Sequence, residues 1–154
     1  MHTRTLRRPR KDDPVRYLGV DPGRKRVGLA LSDRGGVLAT PLAVLRRRTA
    51  DQVAADIDAL CRREEVEALV VGLPLNMDGT KGPAAEEAER LAALLAERTG
   101  LPVELWDERL SSVTAERAMI DADVSRAKRR AKVDKIAAQI ILQAFLDARR
   151  AAGS

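Results

Sequence analysis

YLGVDPGRKRVGLALS, residues 17–32, is the stretch whose reading decides the fold. Tyr17 to Val20 is short and mostly apolar, and Asp21-Pro22-Gly23 places proline and glycine where a tight turn prefers them. Val27, Leu29 and Leu31 then alternate with Gly28, Ala30 and Ser32, the two-residue period of a strand. A second turn, Asp33-Arg34-Gly35-Gly36, leads into a third strand over about 37–45. The chain therefore opens as an antiparallel meander.

Downstream the period changes. Thr49 and Gln52 have the spacing of a capping box, and Val53, Ile57, Leu60 and Cys61 share one face of a helix over about 50–64. Ala68 to Val71 reads as a buried fourth strand ending in Gly72, followed by the punctuated loop GLPLNMDGTKGP, residues 72–83. Pro83 opens a helix with Ala84, Ala88, Leu91 and Leu95 inward, which stops at Gly100. Val103 to Trp106 is a fifth strand closed by Asp107-Glu108, and helices are expected at about 112–122 and 132–149. Three hairpin-connected strands followed by strand-helix-strand units predict an α/β domain with a mixed five-stranded sheet: an antiparallel meander of strands 1–3, then parallel strands 4 and 5, flanked by helices.

Composition narrows the function. A chain of 154 residues holds one ordinary core, here 15–150, with residues 1–14 read as a flexible basic arm and 151–154 as a disordered tail. No apolar run approaches the ~20 residues of a membrane span, and Met1 to Arg10 has no apolar signal segment, so the expectation is a cytoplasmic protein without a membrane partner. One cysteine, Cys61, and one histidine, His2, leave zinc clusters and Ser-His-Asp or Cys-His sites without their parts. Chemistry must rest on carboxylates. Basic charge is clustered: five basic and two acidic side chains in 1–14, six basic and one acidic in 126–135, and Arg46, Arg47 and Arg48 together. Such stripes suit a polyphosphate, and with only Tyr17, Trp106 and Phe145 for stacking, a nucleic acid would be held by its backbone.

The topology gathers acids at one edge. Strands one, four and five should run parallel, so Asp21, the loop after Gly72 and Asp107-Glu108 share the carboxyl edge, where open α/β sheets bind ligands. Alternation turns Asp107 and Glu108 to opposite faces and does not say which faces the site. In the last helix, Lys132, Lys135, Gln139, Gln143 and Arg150 form a polar arc, whereas Asp134 aligns with Ala138, Ile141 and Phe145 on the apolar side. An acid facing the core requires a cation, either a metal or a nearby Arg or Lys. Singly, Asp21 could be a turn residue, Glu108 a surface acid and Asp134 a helix-start acid; their convergence carries the reading. Three crowded carboxylates would repel one another unless a divalent cation sat among them, and all-oxygen ligation favours Mg²⁺ or Mn²⁺. Such sites cleave phosphodiesters without a side-chain nucleophile. Arg24, Lys25, Arg109 and Lys132 would hold the scissile strand, with Arg129 and Arg130 in the basic stripe beside Asp134.

The segments GVDPGRKRVGLA (19–30), VVGLPLNMDGT (70–80), DERLSSVTAERA (107–118) and KVDKIAAQIIL (132–142) resemble, in order and spacing, the motifs of the YqgF/RuvX family. That family comprises proteins named as pre-16S rRNA nucleases and Holliday-junction resolvase homologues, of ribonuclease H-like fold. The resemblance covers about 16–148 and implies that Asp21, Glu108 and Asp134 are the catalytic, metal-holding acids; it selects Glu108 over Asp107 and puts Asn76 in a loop near the substrate. The expectation is a metal-dependent endonuclease acting on precursor rRNA, as a monomer or homodimer. Branched DNA is the alternative substrate, and a noncatalytic nucleic-acid-binding transcription factor is an alternative of another class. An actin-like or sugar-kinase ATPase shares the strand-turn-strand opening but needs two such domains, and this chain has one.

Overall fold

The structure is a computed structural model that describes residues 13–111 and 126–152. Five strands, β1 (Tyr17–Pro22), β2 (Arg26–Ser32), β3 (Ala39–Arg46), β4 (Ala68–Leu73) and β5 (Val103–Asp107), form one sheet in the order β3-β2-β1-β4-β5. The first three are antiparallel, and β1, β4 and β5 are parallel. This is the meander and parallel extension that the turn and period signals predict. The helices are α1 (Ala50–Arg63), α2 (Pro83–Thr99) and α3 (Arg126–Ala152). The helix expected over 112–122 lies outside the described residues. The last helix begins earlier than expected and continues to Ala152, two residues into the stretch read as a tail.

Local chemistry accounts for the boundaries. Thr49 and Gln52 make both bonds of the capping box at the start of α1, and Gly100, at φ 69°, ends α2 in the left-handed region that glycine tolerates. Each side of the sheet buries its own alternating set of side chains. Leu18, Val20, Leu29, Leu69 and Val71 face Ile57, Cys61 and Leu95 of α1 and α2, so Cys61 is a core residue. Tyr17, Ala30 and Val70 face Ala138, Ile141, Leu142 and Phe145 of α3. On that second face Phe145 meets Tyr17 and Trp106 edge-on, with ring centroids 5.0 and 5.9 Å apart. Arg149 donates to the carbonyl of Asp13 at 3.0 Å, tying the start of the described chain to α3.

The polar arc of α3 differs from expectation. Gln139 and Gln143 do not simply face water: Gln139 Nε2 donates to Ala39 O at 3.1 Å, while Gln143 accepts from Ala39 N–H and donates to Val37 O, both at 2.9 Å. Ala39 opens an edge strand whose outward amide and carbonyl need partners, and these two side chains supply them.

Candidate functional site

One rung across the sheet organises the site. Asp21 of β1 is paired with Gly28 of β2; on its other side, one step beyond the Val20–Val71 rung, stands Gly72 of β4, itself paired with Trp106 of β5. Tyr17 and Gly19 face α3, so strand alternation turns Asp21 to the same side, where it is only 2% exposed. The flanking residues have no side chains, and the space is used. The backbone carbonyl of Asp134 lies where a Cβ on residue 28 would stand, and Glu108 Oε1 lies 2.7 Å from where a Cβ on residue 72 would stand. The two glycines thus admit α3 on one side of Asp21 and the Glu108 carboxylate on the other.

The end of β5 settles which acid faces this rung. The strand stops at Asp107, and Glu108–Leu110 form a 3₁₀ turn that swings Glu108 over Gly72. Asp107 is engaged elsewhere: Arg109 donates to it from its main-chain N–H at 2.9 Å, from Nε at 3.1 Å to each oxygen, and from Nη2 at 2.7 Å. These bonds from the Arg109 side chain hold the Asp107 carboxyl below the ordinary carboxylate range, and Asp107 reciprocally raises the Arg109 guanidinium. Arg109 also donates to Met77 O at 3.3 Å, so it clamps the β5 end to the loop after β4. In that loop Asn76 is exposed and braces the turn, donating from Nδ2 to Thr80 Oγ1 at 2.9 Å.

Asp134 reaches the rung by its backbone, but its carboxylate is drawn to Arg26, whose Nε lies 2.8 Å from Oδ2. Among the described residues no group of three or more acidic, histidine or cysteine side chains is arranged to hold a metal. Glu108 lies over Gly72, the strand neighbour of Asp21, while the Asp134 carboxylate is turned toward Arg26. Of the cations open to Asp134, an arginine, Arg26, stands within hydrogen-bond reach. The donors nevertheless suit a hard divalent cation in kind, being carboxylate oxygens on one face of the sheet in a space two glycines keep clear.

Arg24 and Lys25 are exposed on the β1–β2 turn. Arg47, between the exposed Arg46 and Arg48, stitches that turn to α2 by donating to Gly23 O at 2.7 Å and pairing with Glu87 at 3.0 Å. Arg129, Arg130 and Lys132 fall on the first turns of α3, with side chains outside the described residues. Sequence reasoning missed Arg26 and the steric role of Gly28. A signal existed: glycine inside an alternating strand marks a close backbone approach, and Arg26 shares Gly28's face two residues away.

A three-stranded antiparallel meander extended by two parallel strands, with a long helix across the face that bears the acids, defines a ribonuclease H-like protein. The chain belongs to the RuvX family, whose model, described as Holliday junction resolvase, matches residues 15–148. A relative from Symbiobacterium thermophilum, named "Putative pre-16S rRNA nuclease", is 51% identical over 137 residues, covering 89% of this chain and 95% of its own. One of the same name from Acidiphilium cryptum is 51% identical over 133 residues, covering 86% of this chain and 84% of its own. Among solved structures, T. thermophilus RuvC in complex with Holliday junction substrate superposes with a TM-score of 0.57 at 17% identity, covering 89% of this chain and 96% of that one. At that identity the likeness speaks to the fold.

Proposed function

We propose that this protein is a divalent-metal-dependent nuclease that hydrolyses a phosphodiester bond of precursor 16S rRNA, with Asp21, Glu108 and Asp134 as its metal-holding acids. The observation that carries the reading is the Gly28–Asp21–Gly72 rung, where a buried aspartate is flanked by two glycines that make room for the other two acids. The names of the relatives supply the substrate. A bound Mg²⁺ or Mn²⁺ would supply an acidified water and charge neutralisation at the scissile phosphate.

The chain's own residues do the rest. Asp21, fixed in the middle of the sheet, gives the site its rigid member, and Glu108, on a short 3₁₀ turn, gives it an adjustable one. Arg24, Lys25, Arg46 and Arg48 would take the phosphates beyond the cut, and the Asn76 turn, held by the Arg109 clamp, would border the strand on the β4 side. The family's own description favours a second reading, cleavage of a four-way DNA junction by the same acids, for which a homodimer would set two sites apart. Among the described residues no helix is long and apolar enough to cross a membrane. Incubation with precursor 16S rRNA and with synthetic junctions, in Mg²⁺, Mn²⁺ or EDTA, separates the two. The expected result is metal-dependent cleavage of the rRNA precursor at a defined position; junction cleavage with intact rRNA supports the second reading, and no cleavage of either overturns the nuclease.

A further inference from the structure

We propose that Arg26 is the resident counter-ion of Asp134 in the metal-free protein and competes with the divalent cation for that carboxylate, so that the Arg26–Asp134 pair sets the cation concentration at which the site assembles. The cation's presence rests on the nuclease reading above; the role of Arg26 rests on geometry.

Arg26 opens β2 and shares a face with Gly28, two residues further in, which lies beside Asp21. At Gly28 the turn of α3 that bears Asp134 presses its backbone against the strand, so the Asp134 side chain must leave from the point of closest approach. Arg26 Nε takes its Oδ2 at 2.8 Å, with the two side chains 31% and 20% exposed. The carboxylate is thereby held on the outer side of Gly28, and no three acids converge among the described residues.

Electrostatics explains why an arginine stands there. Asp134 is half-buried on the face that also bears the buried Asp21 and the Glu108 carboxylate, and anions gathered on one face of a sheet need compensation. One guanidinium supplies a single charge and a planar set of donors, which can satisfy one carboxylate but cannot gather oxygens from three. A divalent cation can do that only if Asp134 rotates off Arg26. Arg26 is partly exposed, so its head has solvent to move into. It is a positioning residue: it holds a ligand out of the site until a better cation arrives.

The test is a Mn²⁺ titration of the whole chain, read by the loss of the free-ion electron paramagnetic resonance signal, for wild type, Arg26→Gln, Asp134→Asn and the double variant. Arg26→Gln should tighten Mn²⁺ binding about five- to tenfold, the order expected for removing a partly buried charge-assisted pair, and lower the melting temperature in EDTA. Arg26→Lys, which keeps the charge and perturbs packing less, should fall between. In the Asp134→Asn background the gain should vanish, because competition for that carboxylate has gone; a gain that persists there would show simple charge repulsion and overturn the proposal. Wild type and Arg26→Gln binding Mn²⁺ equally would overturn it while leaving the nuclease reading intact. Failure of every variant to bind millimolar Mn²⁺ would remove the cation, and the nuclease reading with it.

Discussion

Glu108 Oε1 stands 2.7 Å from the point where a Cβ on Gly72 would project, and Gly72 is the neighbour of Asp21 across the β1–β4 step. The absent side chain is thus what lets the Glu108 carboxylate lie over the strand position beside the buried aspartate. Gly72→Ala should displace a flexible carboxylate and crowd Ile141 Cδ1, 3.0 Å away, costing about 1 kcal/mol of stability while sharply reducing cleavage. Gly28→Ala meets the backbone of α3 instead, which cannot swing aside, and should cost on the order of 3 kcal/mol. Denaturant melts of the two variants beside their cleavage rates check this: the expected pattern is a large stability loss for Gly28→Ala and a mainly functional loss for Gly72→Ala.

The Asp107–Arg109 clamp makes a pH prediction. Asp107's carboxyl is lowered in the folded protein, chiefly by hydrogen bonds from the Arg109 side chain, so its contribution is present above the ordinary carboxylate pKa of about 3.9 and is lost as pH falls through the lower folded value. The pair is open to solvent and screened, so its contribution to stability should be small. The stability difference between wild type and Arg109→Ala should be level from pH 7 to about 5 and close below about 4. A difference that grows on acidification would refute the assignment.

Affinity for nucleic acid should follow charge rather than sequence. None of Arg24, Lys25, Arg46 and Arg48 makes an ion pair among the described residues, and all four lie at the site's edge of the sheet. Reversing Arg46 and Arg48 should lower the slope of log affinity against log salt by roughly 1 for each phosphate no longer neutralised, on an RNA hairpin and a DNA junction alike. Reversing Arg129 and Arg130 should also flatten the slope, whereas deleting residues 1–12 should leave the cut position unchanged. Binding measured against salt in EDTA, where cleavage is off, gives the slopes; an affinity indifferent to salt would point to recognition by shape or base contacts.

Much of this fold is written in local signals. Proline and glycine after Val20, alternation through Leu31, the Thr49–Gln52 box and Gly100 locate the elements to within two or three residues, because each is decided by neighbours a few positions away. The sheet edge bearing Asp21 followed from strand direction alone. What was not legible depends on distant or end-of-strand geometry. Arg26 meets a residue 108 positions along the chain, and alternation reports its face but not its partner. Asp107 and Glu108 could not be told apart while the strand was assumed to run on; the 3₁₀ turn, which breaks the alternation, separates them. Gln139 and Gln143 read as solvent-facing because the open hydrogen bonds of an edge strand leave no mark on helical periodicity.

The central claim is that Asp21, Glu108 and Asp134 act together on a phosphodiester. Its most direct measurement is the single-turnover rate of precursor 16S rRNA cleavage in Mn²⁺ for Asp21→Asn, Glu108→Gln and Asp134→Asn, with Asp107→Asn as the neighbouring acid held by Arg109. Each of the first three should lose at least ~100-fold, as removal of several kcal/mol of transition-state charge stabilisation requires, with circular dichroism unchanged. Asp107→Asn should lose no more than about tenfold. Wild-type rates in all three acid variants, or silence in Asp107→Asn alone, would contradict the account.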